Sequence, residues 1–170
     1  MKVKLVSIMI LLLLMHYKSK SQIDTNQISQ NVLYIEVAGI GGYGSLNYER
    51  IIFIKKNRNI RVRIGISTYK TTDYTTKFNP DIIIPIAINK LYGNNHKIEF
   101  GFGQTITSIV QANYLNWKPE RVINLHSNFT IGYRYQKNKE GVIFRASYTP
   151  IIEFNKYFRH WGGLTIGYAF

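Results

Sequence analysis

Residues 161–170 read WGGLTIGYAF, and this stretch decides the fold class. Large apolar side chains stand at alternate positions, Leu164, Ile166, Tyr168 and Phe170, and mostly glycine, threonine and alanine stand between them. A period of two places the two sets on opposite faces of an extended strand. Chain ends are usually frayed and polar. A regular apolar alternation here therefore predicts a strand that is paired and packed.

The same period of two continues upstream. Turn residues divide the chain into eight strand candidates, at 32–40, 45–54, 60–69, 82–92, 97–107, 122–136, 142–153 and 161–170. No stretch among them has the apolar spacing of three and four that an amphipathic helix requires. Most candidates are near the length of about 9–11 residues with which a tilted strand crosses a bilayer. The sequence predicts an all-β fold, an antiparallel up-and-down barrel of eight transmembrane strands.

The chain begins with a targeting pattern. Two lysines open it, an apolar run follows at 5–15, and small residues stand just before position 22. The run is shorter than the roughly 20 residues of a membrane-spanning helix. We therefore expect a secretory signal peptide at 1–21, a short polar lead at 22–31 and the barrel at 32–170.

Composition removes several function classes. The chain has no cysteine, which excludes disulfides, thiolate metal sites and cysteine nucleophiles. A net charge of +13 would by itself favour nucleic-acid binding. Removal of residues 1–21 takes away four lysines and no acid, so +13 falls to +9. An exported protein does not meet chromosomal DNA, and we predict no nucleic-acid partner.

The two faces of the strands differ in a way that separates a membrane barrel from a soluble one. One face is large and apolar, as in the series Ile82, Ile84, Ile86 and Ile88. The other face mixes glycine and small polar residues with arginine and glutamate, whereas lysine falls almost wholly in turns and loops. Small and charged groups fit the narrow lumen of an eight-stranded barrel. The apolar face is therefore predicted to point outward, to lipid.

Charged residues of the inner face can pair with one another. The predicted lumen network comprises Glu36, Glu49, Arg61, Arg63, Glu99, His126, Arg134 and Arg145. Guanidinium and carboxylate groups form forked hydrogen bonds that offset the cost of burying either charge alone. We interpret this network as a structural plug, because buried charges are normally paired wherever they occur.

Three positions disturb the alternation and leave the register open around them. Arg50 falls on the apolar face, so we expect it at a barrel rim or beside a bulge. Pro85 removes one donor from the ladder, and Pro150 indicates a bulge or a strand end.

Connections alternate between short and long. Short polar turns are predicted at 55–59, 93–96 and 137–141, and longer loops at 70–81, 108–121 and 154–160. The first connection contains GIGGYG (39–44), which joins two antiparallel strands and opens no helix. It is therefore a glycine-rich tight turn and lacks the mechanism of a phosphate-binding loop.

These features together resemble the small eight-stranded outer-membrane barrels of the OmpA/OmpX type, whose short turns lie in the periplasm. The segments YIEVAGIGGYGSLNYER, INLHSNFTIGYRYQ and VIFRASYTPII are similar to a widespread group of uncharacterised outer-membrane barrel proteins. The resemblance implies a bacterial outer-membrane monomer in contact with membrane lipids and lipopolysaccharide. It also implies that the barrel assembly machinery recognises Leu164, Ile166, Tyr168 and Phe170. It transfers no catalytic motif.

A lipid A-modifying barrel enzyme is the first alternative. One class of such enzymes places histidine and serine two apart on one strand face, but His126 and Ser127 are adjacent and point to opposite faces. A second combination is Asp73, Ser108 and His160, and no spacing requires these three to meet.

A narrow pore for small solutes is the second alternative. His160 lies near Glu153, but the histidines of the chain are too scattered in sequence to indicate a metal site. We predict no cofactor, and a structural or surface-interaction role without catalysis.

Overall fold

The computed structural model describes residues 28–55, 58–113, 117–152 and 158–170. The predicted signal peptide lies outside these residues, as does most of the polar lead, so both assignments stay predictions. Nowhere in the described ranges is there a helix with the length and apolar character to cross a bilayer.

The described chain folds into antiparallel strands with one short 3-10 turn at Gly39–Gly41. The strands are β1 Asn31–Ala38, β2 Gly44–Lys55, β3 Arg58–Ser67, β4 Ile82–Gly93, β5 His96–Ala112, β6 Pro119–Gln136, β7 Gly141–Tyr148, β8 Ile151–Ile152, β9 Phe158–Arg159 and β10 Gly162–Ala169. The short β8 and β9 pair with each other and continue β7 and β10 outward, so the wall consists of eight strands.

The wall closes on itself. Neighbouring strands follow chain order from β1 to β7, β10 pairs with β7, and β1 pairs with both β2 and β10. At the seam the N–H of Asn31 donates to the carbonyl of Phe170, and the N–H of Phe170 donates to the carbonyl of Asn31, both at 2.9 Å. Closure leaves no free edge in the wall. The predicted eight-stranded antiparallel barrel is confirmed.

The apolar face points outward and the polar face inward, as predicted. In β10, Leu164 and Ile166 are 66% and 55% exposed, whereas Thr165 between them is 5% exposed. Apart from small groups of buried apolar residues such as Val32 and Ile143, the interior consists mainly of polar and charged side chains. The molecule is therefore inverted relative to a soluble protein.

The three irregular positions behave as the sequence indicates. The register between β2 and β3 shifts between Ile51 and Phe53, so a bulge lies directly after Arg50. Pairing between β3 and β4 is interrupted around Pro85. Pro150 lies in the break between β7 and β8.

Several predicted boundaries differ from the structure, and two of these differences change a connection at the loop end. The loop expected at 108–121 is mostly strand, because β5 continues to Ala112 and β6 already begins at Pro119. Alternation weakens in this stretch, so a period of two gave no sign of the hairpin. The first strand ends at Ala38 instead of position 40, and the following turn folds inward, with Ile40 only 3% exposed.

The extended β5–β6 hairpin is supported by the loop at 70–81. The guanidinium of Arg121 donates to Asn79 Oδ1 at 2.5 Å and to the carbonyl of Pro80 at 3.1 Å. Tyr74 Oη donates to the carbonyl of Trp117 at 2.6 Å, and the N–H of Val110 donates to an Asp81 carboxylate oxygen at 3.0 Å. This end of the barrel is called the loop end below, and the opposite end the short-turn end.

Candidate functional site: the charged lumen

Seven charged side chains in the lumen form a continuous series of ion pairs, here called the charge chain. Its order is Arg61, Glu49, Arg134, Glu99, Arg145, Glu36 and Arg63, with successive nitrogen–oxygen distances of 3.4, 2.7, 3.6, 3.0, 2.6 and 2.5 Å. All seven are buried. Each carboxylate contacts two guanidiniums, which is the arrangement that best offsets the desolvation of both ions.

Strand register explains the spacing within the charge chain. Arg134 of β6 and Arg145 of β7 are direct cross-strand partners, and two like charges placed opposite each other are destabilising. Glu99 of β5 contacts both guanidiniums and removes that repulsion. Glu36 of β1 likewise joins Arg145 of β7 to Arg63 of β3. Three strands, β10, β1 and β2, lie between β7 and β3 in the wall.

An aromatic ring lies against two of the guanidiniums. Tyr34 is 2% exposed, and its ring centroid lies 5.5 Å from Arg63 Cζ and 4.9 Å from Arg145 Cζ. The face of an aromatic ring attracts a cation. Tyr34 thus adds favourable contacts to the two cations that share Glu36.

The lumen toward the loop end holds neutral polar groups. Asn128 Nδ2 donates to Thr105 Oγ1 at 3.2 Å, and Thr105 Oγ1 donates to the carbonyl of Ile40 at 2.8 Å. The 39–41 turn lies across this end, fixed from the wall by Trp161 Nε1, which donates to the carbonyl of Gly39 at 2.9 Å. We refer to this region as the neutral half of the lumen.

Glycine is required at the junction of the two regions. Gly39 has φ of +75°, and a Cβ at this position would overlap the carboxylate of Glu36. Only glycine combines that conformation with the close approach of a charged side chain.

The short-turn end is also closed by side chains. Lys97 is 2% exposed and its ammonium donates to the carbonyl of Asn94 and, at 3.0 Å, to Asn138 Oδ1. The N–H of Ser29 donates to the carbonyl of Asn138 at 2.7 Å, and Arg61 donates to the carbonyl of Ser29 at 3.2 Å. The segment before β1 therefore crosses this opening.

The structure brings together seven of the eight predicted network residues. His126 lies apart, because it faces the neutral half, where its Nε2 is 3.2 Å from Thr107 Oγ1. A strand rises about 3.3 Å per residue, which separates His126 from Arg134 by roughly 26 Å along β6. His126 was assigned to the network because it has inward parity, which means that it stands at one of the alternate strand positions that face the lumen. Parity does not tell how far along the barrel axis a residue lies.

Lys97 and Tyr34 are among the buried lumen residues that sequence reasoning did not name as site residues. Both carry the signal that could have found them, since Lys97 shares inward parity with Glu99 and Tyr34 shares it with Glu36. The inward turn at 39–41 had no such signal, because a glycine-rich sequence is compatible with many turn geometries.

The candidate catalytic residues do not form a common site in the described chain. Asp73 bonds Thr75 and Asn79, Ser108 accepts from Arg121, and His160 Nδ1 lies 2.6 Å from Tyr148 Oη. Glu153 lies outside the described residues. Within the described ranges no group of three or more metal-binding side chains converges.

Comparison with solved structures shows the fold. The chain is similar to the N-terminal β-barrel domain of Pseudomonas aeruginosa OprF, with 15% sequence identity, a TM-score of 0.54, and coverage of 83% of this chain and 98% of that one. No family model matches the sequence, and no curated protein matches it. At this identity the likeness concerns the architecture of the eight-stranded barrel alone.

Proposed function

We propose that the chain is an integral protein of the bacterial outer membrane, with a lumen closed by its own side chains and a structural or surface-interaction role without catalysis. The observation that carries the proposal is the inverted distribution of polarity. The outward belt of isoleucine, leucine, phenylalanine and tyrosine requires an apolar surrounding, and a closed barrel satisfies its backbone hydrogen bonds in lipid.

The orientation follows from the connections. The short turns are placed in the periplasm and the extended β5–β6 hairpin with the 70–81 loop outside the cell, in keeping with outer-membrane barrels in general. The outer surface then presents Trp117 at 72% and Phe78 at 81% exposure, which suit contact with lipopolysaccharide or another surface partner. Phe170 and the alternating residues before it serve the assembly machinery in this proposal.

The lumen argues for a plug. The charge chain fills one part of the interior, the 39–41 turn crosses the other, and Lys97 covers the short-turn end. Several buried polar atoms, among them Asn89 Oδ1 and Gln136 Oε1, have no partner among the described residues, and ordered water is the usual partner of such atoms. Enclosed water of this kind does not require a continuous channel.

The decisive experiment is cell fractionation with gel analysis. The protein should sediment with outer membranes, and boiling in detergent should change its gel mobility, because a closed barrel resists dodecyl sulfate until it is heated. A soluble periplasmic product of constant mobility would contradict the proposal.

Two further measurements separate the alternatives. A pore would give discrete conductance steps in planar bilayers, whereas the plugged barrel should give none. A lipid A-modifying enzyme would change the lipid A mass spectrum on gene deletion, and alanine at His160 or His126 should then reproduce the change.

A further inference from the structure

Four cations of the described residues lie at the short-turn end of the outer wall, on three consecutive strands. They are Arg50 and Lys55 in β2, Arg58 in β3 and Lys90 in β4, and we call them the basic edge. Register places Lys55 opposite Arg58, and Arg58 opposite Tyr92. Lys55, Arg58 and Lys90 are exposed, and Arg50 is half-buried.

The bulge after Arg50 is what brings the β2 cations to one face. Before the bulge the even positions of β2 point outward, as for Leu46, and after it the odd positions do, as for Phe53 at 53% exposure. Without the extra residue, Arg50 and Lys55 would point to opposite faces of the wall.

An aromatic shelf lies beneath two of these cations. Arg58 Cζ and Lys90 Nζ lie 5.3 and 5.1 Å from the ring centroid of Tyr92. Tyr92 in turn packs edge-to-face on Phe100, with 6.1 Å between centroids. Phe100 and Ile88 continue the exposed apolar wall toward the loop end. The outer surface is thus cationic at the short-turn rim and becomes apolar next to it, in the direction of the loop end.

The described part of the chain supplies no counter-charge to the basic edge. Within the described ranges, none of the four side chains makes an ion pair or a side-chain hydrogen bond. Arg121 at the loop end differs, since its guanidinium is held by acceptors on Ser108, Asn79 and Pro80. Two cations gathered over one ring repel each other unless an anion lies close by.

We propose that the basic edge binds the headgroup of an anionic phospholipid, with the acyl chains lying along Phe100 and Ile88. This inference rests on the proposed function, which places the edge at the inner leaflet of the outer membrane. Charge complementarity selects a phospholipid with net negative charge, of the phosphatidylglycerol class, over zwitterionic phosphatidylethanolamine. Arginine and lysine are the usual binders of phosphate oxygens.

The test is lipid retention. Full-length protein is inserted into nanodiscs of phosphatidylethanolamine with a small fraction of phosphatidylglycerol, and native mass spectrometry records the lipids that remain bound after release. The wild type should retain phosphatidylglycerol preferentially. Each cation near an anionic membrane surface is worth about a five-fold preference, so the double variant R58Q/K90Q should lose roughly 25-fold.

The matched control is K137Q/K139Q, which removes the same charge from the β6–β7 turn, where Glu140 is also present. Its lipid preference should equal that of the wild type. Equal retention by R58Q/K90Q, or an equal loss in K137Q/K139Q, would overturn the inference and leave only a diffuse charge effect.

Heat-dependent gel mobility of every sample separates this inference from the proposed function. Variants that shift like the wild type are folded, so their retention can be compared directly. A wild type that neither inserts nor shifts would refute the membrane proposal, and the lipid site with it.

Discussion

The two parts of the lumen are closed by different means. In one, the charge chain joins strands that lie far apart in sequence, as in the contact of Arg145 with Glu36, 109 residues away. In the neutral half, closure depends on the backbone of the 39–41 turn and on single hydrogen bonds from Thr105 and Trp161. A buried ion pair that loses one partner leaves an uncompensated charge, whereas the partner of a neutral group can be replaced by water. We therefore expect the charge chain to dominate stability.

The largest effect is expected from E36Q. Glutamine preserves the shape of the side chain but leaves Arg63 and Arg145 without the anion they share. Breaking a buried ion pair costs about 3–5 kcal/mol, which urea unfolding in lipid vesicles should record. E140Q, in the exposed β6–β7 turn, is the control and should change the unfolding free energy by less than about 0.5 kcal/mol. A loss below about 1 kcal/mol in E36Q would contradict the expectation that the charge chain dominates stability.

A smaller effect is expected from I40A in the neutral half. Ile40 is buried at 3% exposure, and truncating a buried isoleucine to alanine costs about 2–4 kcal/mol when the cavity stays empty. The same unfolding assay measures it, with F78A in the exposed 70–81 loop as control. If water fills the space, the cost falls to the lower end of that range. A neutral result would mean that the turn contributes nothing to closure.

The third prediction concerns one hydrogen bond. W161F keeps an aromatic ring against the wall and removes the Nε1 donor to the carbonyl of Gly39. The expected loss is about 1 kcal/mol, the usual net value of such a bond. A loss as large as that of E36Q would show that backbone closure of the neutral half equals the charge chain in importance.

The smallest effect is local and depends on pH. The Asp73 carboxylate accepts from the hydroxyl of Thr75 at 2.6 Å and from the N–H groups of Thr75 and Lys77 at 2.8 and 3.2 Å. These hydrogen bonds lower the pKa of Asp73 from its ordinary value of about 3.9, and the bond from the Thr75 hydroxyl contributes most to the lowering. A lowered pKa in the folded loop means that the stabilisation is complete above about pH 4 and is lost as pH falls through the lower value.

Amide NMR shifts of Thr75 and Lys77 during acid titration should therefore change below about pH 4 at unchanged global stability. D73N should abolish this transition. A midpoint at or above the ordinary aspartate value would contradict the bonding pattern.

The sequence predicted the wall well because a wall strand obeys one rule. Leu164 to Phe170 alternate strictly, and such alternation fixes both the strand and its faces. The break in alternation at Arg50 likewise indicated a rim position or a nearby bulge, and the structure has the bulge between Ile51 and Phe53.

The sequence predicted which side chains line the lumen, but it predicted only some of the contacts between them. Arg134 and Glu99 have inward parity, and their approach follows once β5 and β6 are neighbours. The separation of His126 from the network depends on height along the strand, and the inward fold of the 39–41 turn depends on glycine torsions. Neither quantity is encoded in a period of two.

The charge chain also has a consequence for the order of folding events. Contacts such as Arg145 with Glu36, and Arg134 with Glu49 at a separation of 85 residues, can form only when the ends of the barrel meet. Contacts of such long sequence separation form late and slowly. Until then the same seven ionised groups remain hydrated, and hydrated charge opposes aggregation of an otherwise apolar chain. The residues that hold the finished barrel together thus also oppose aggregation of the chain before it has folded.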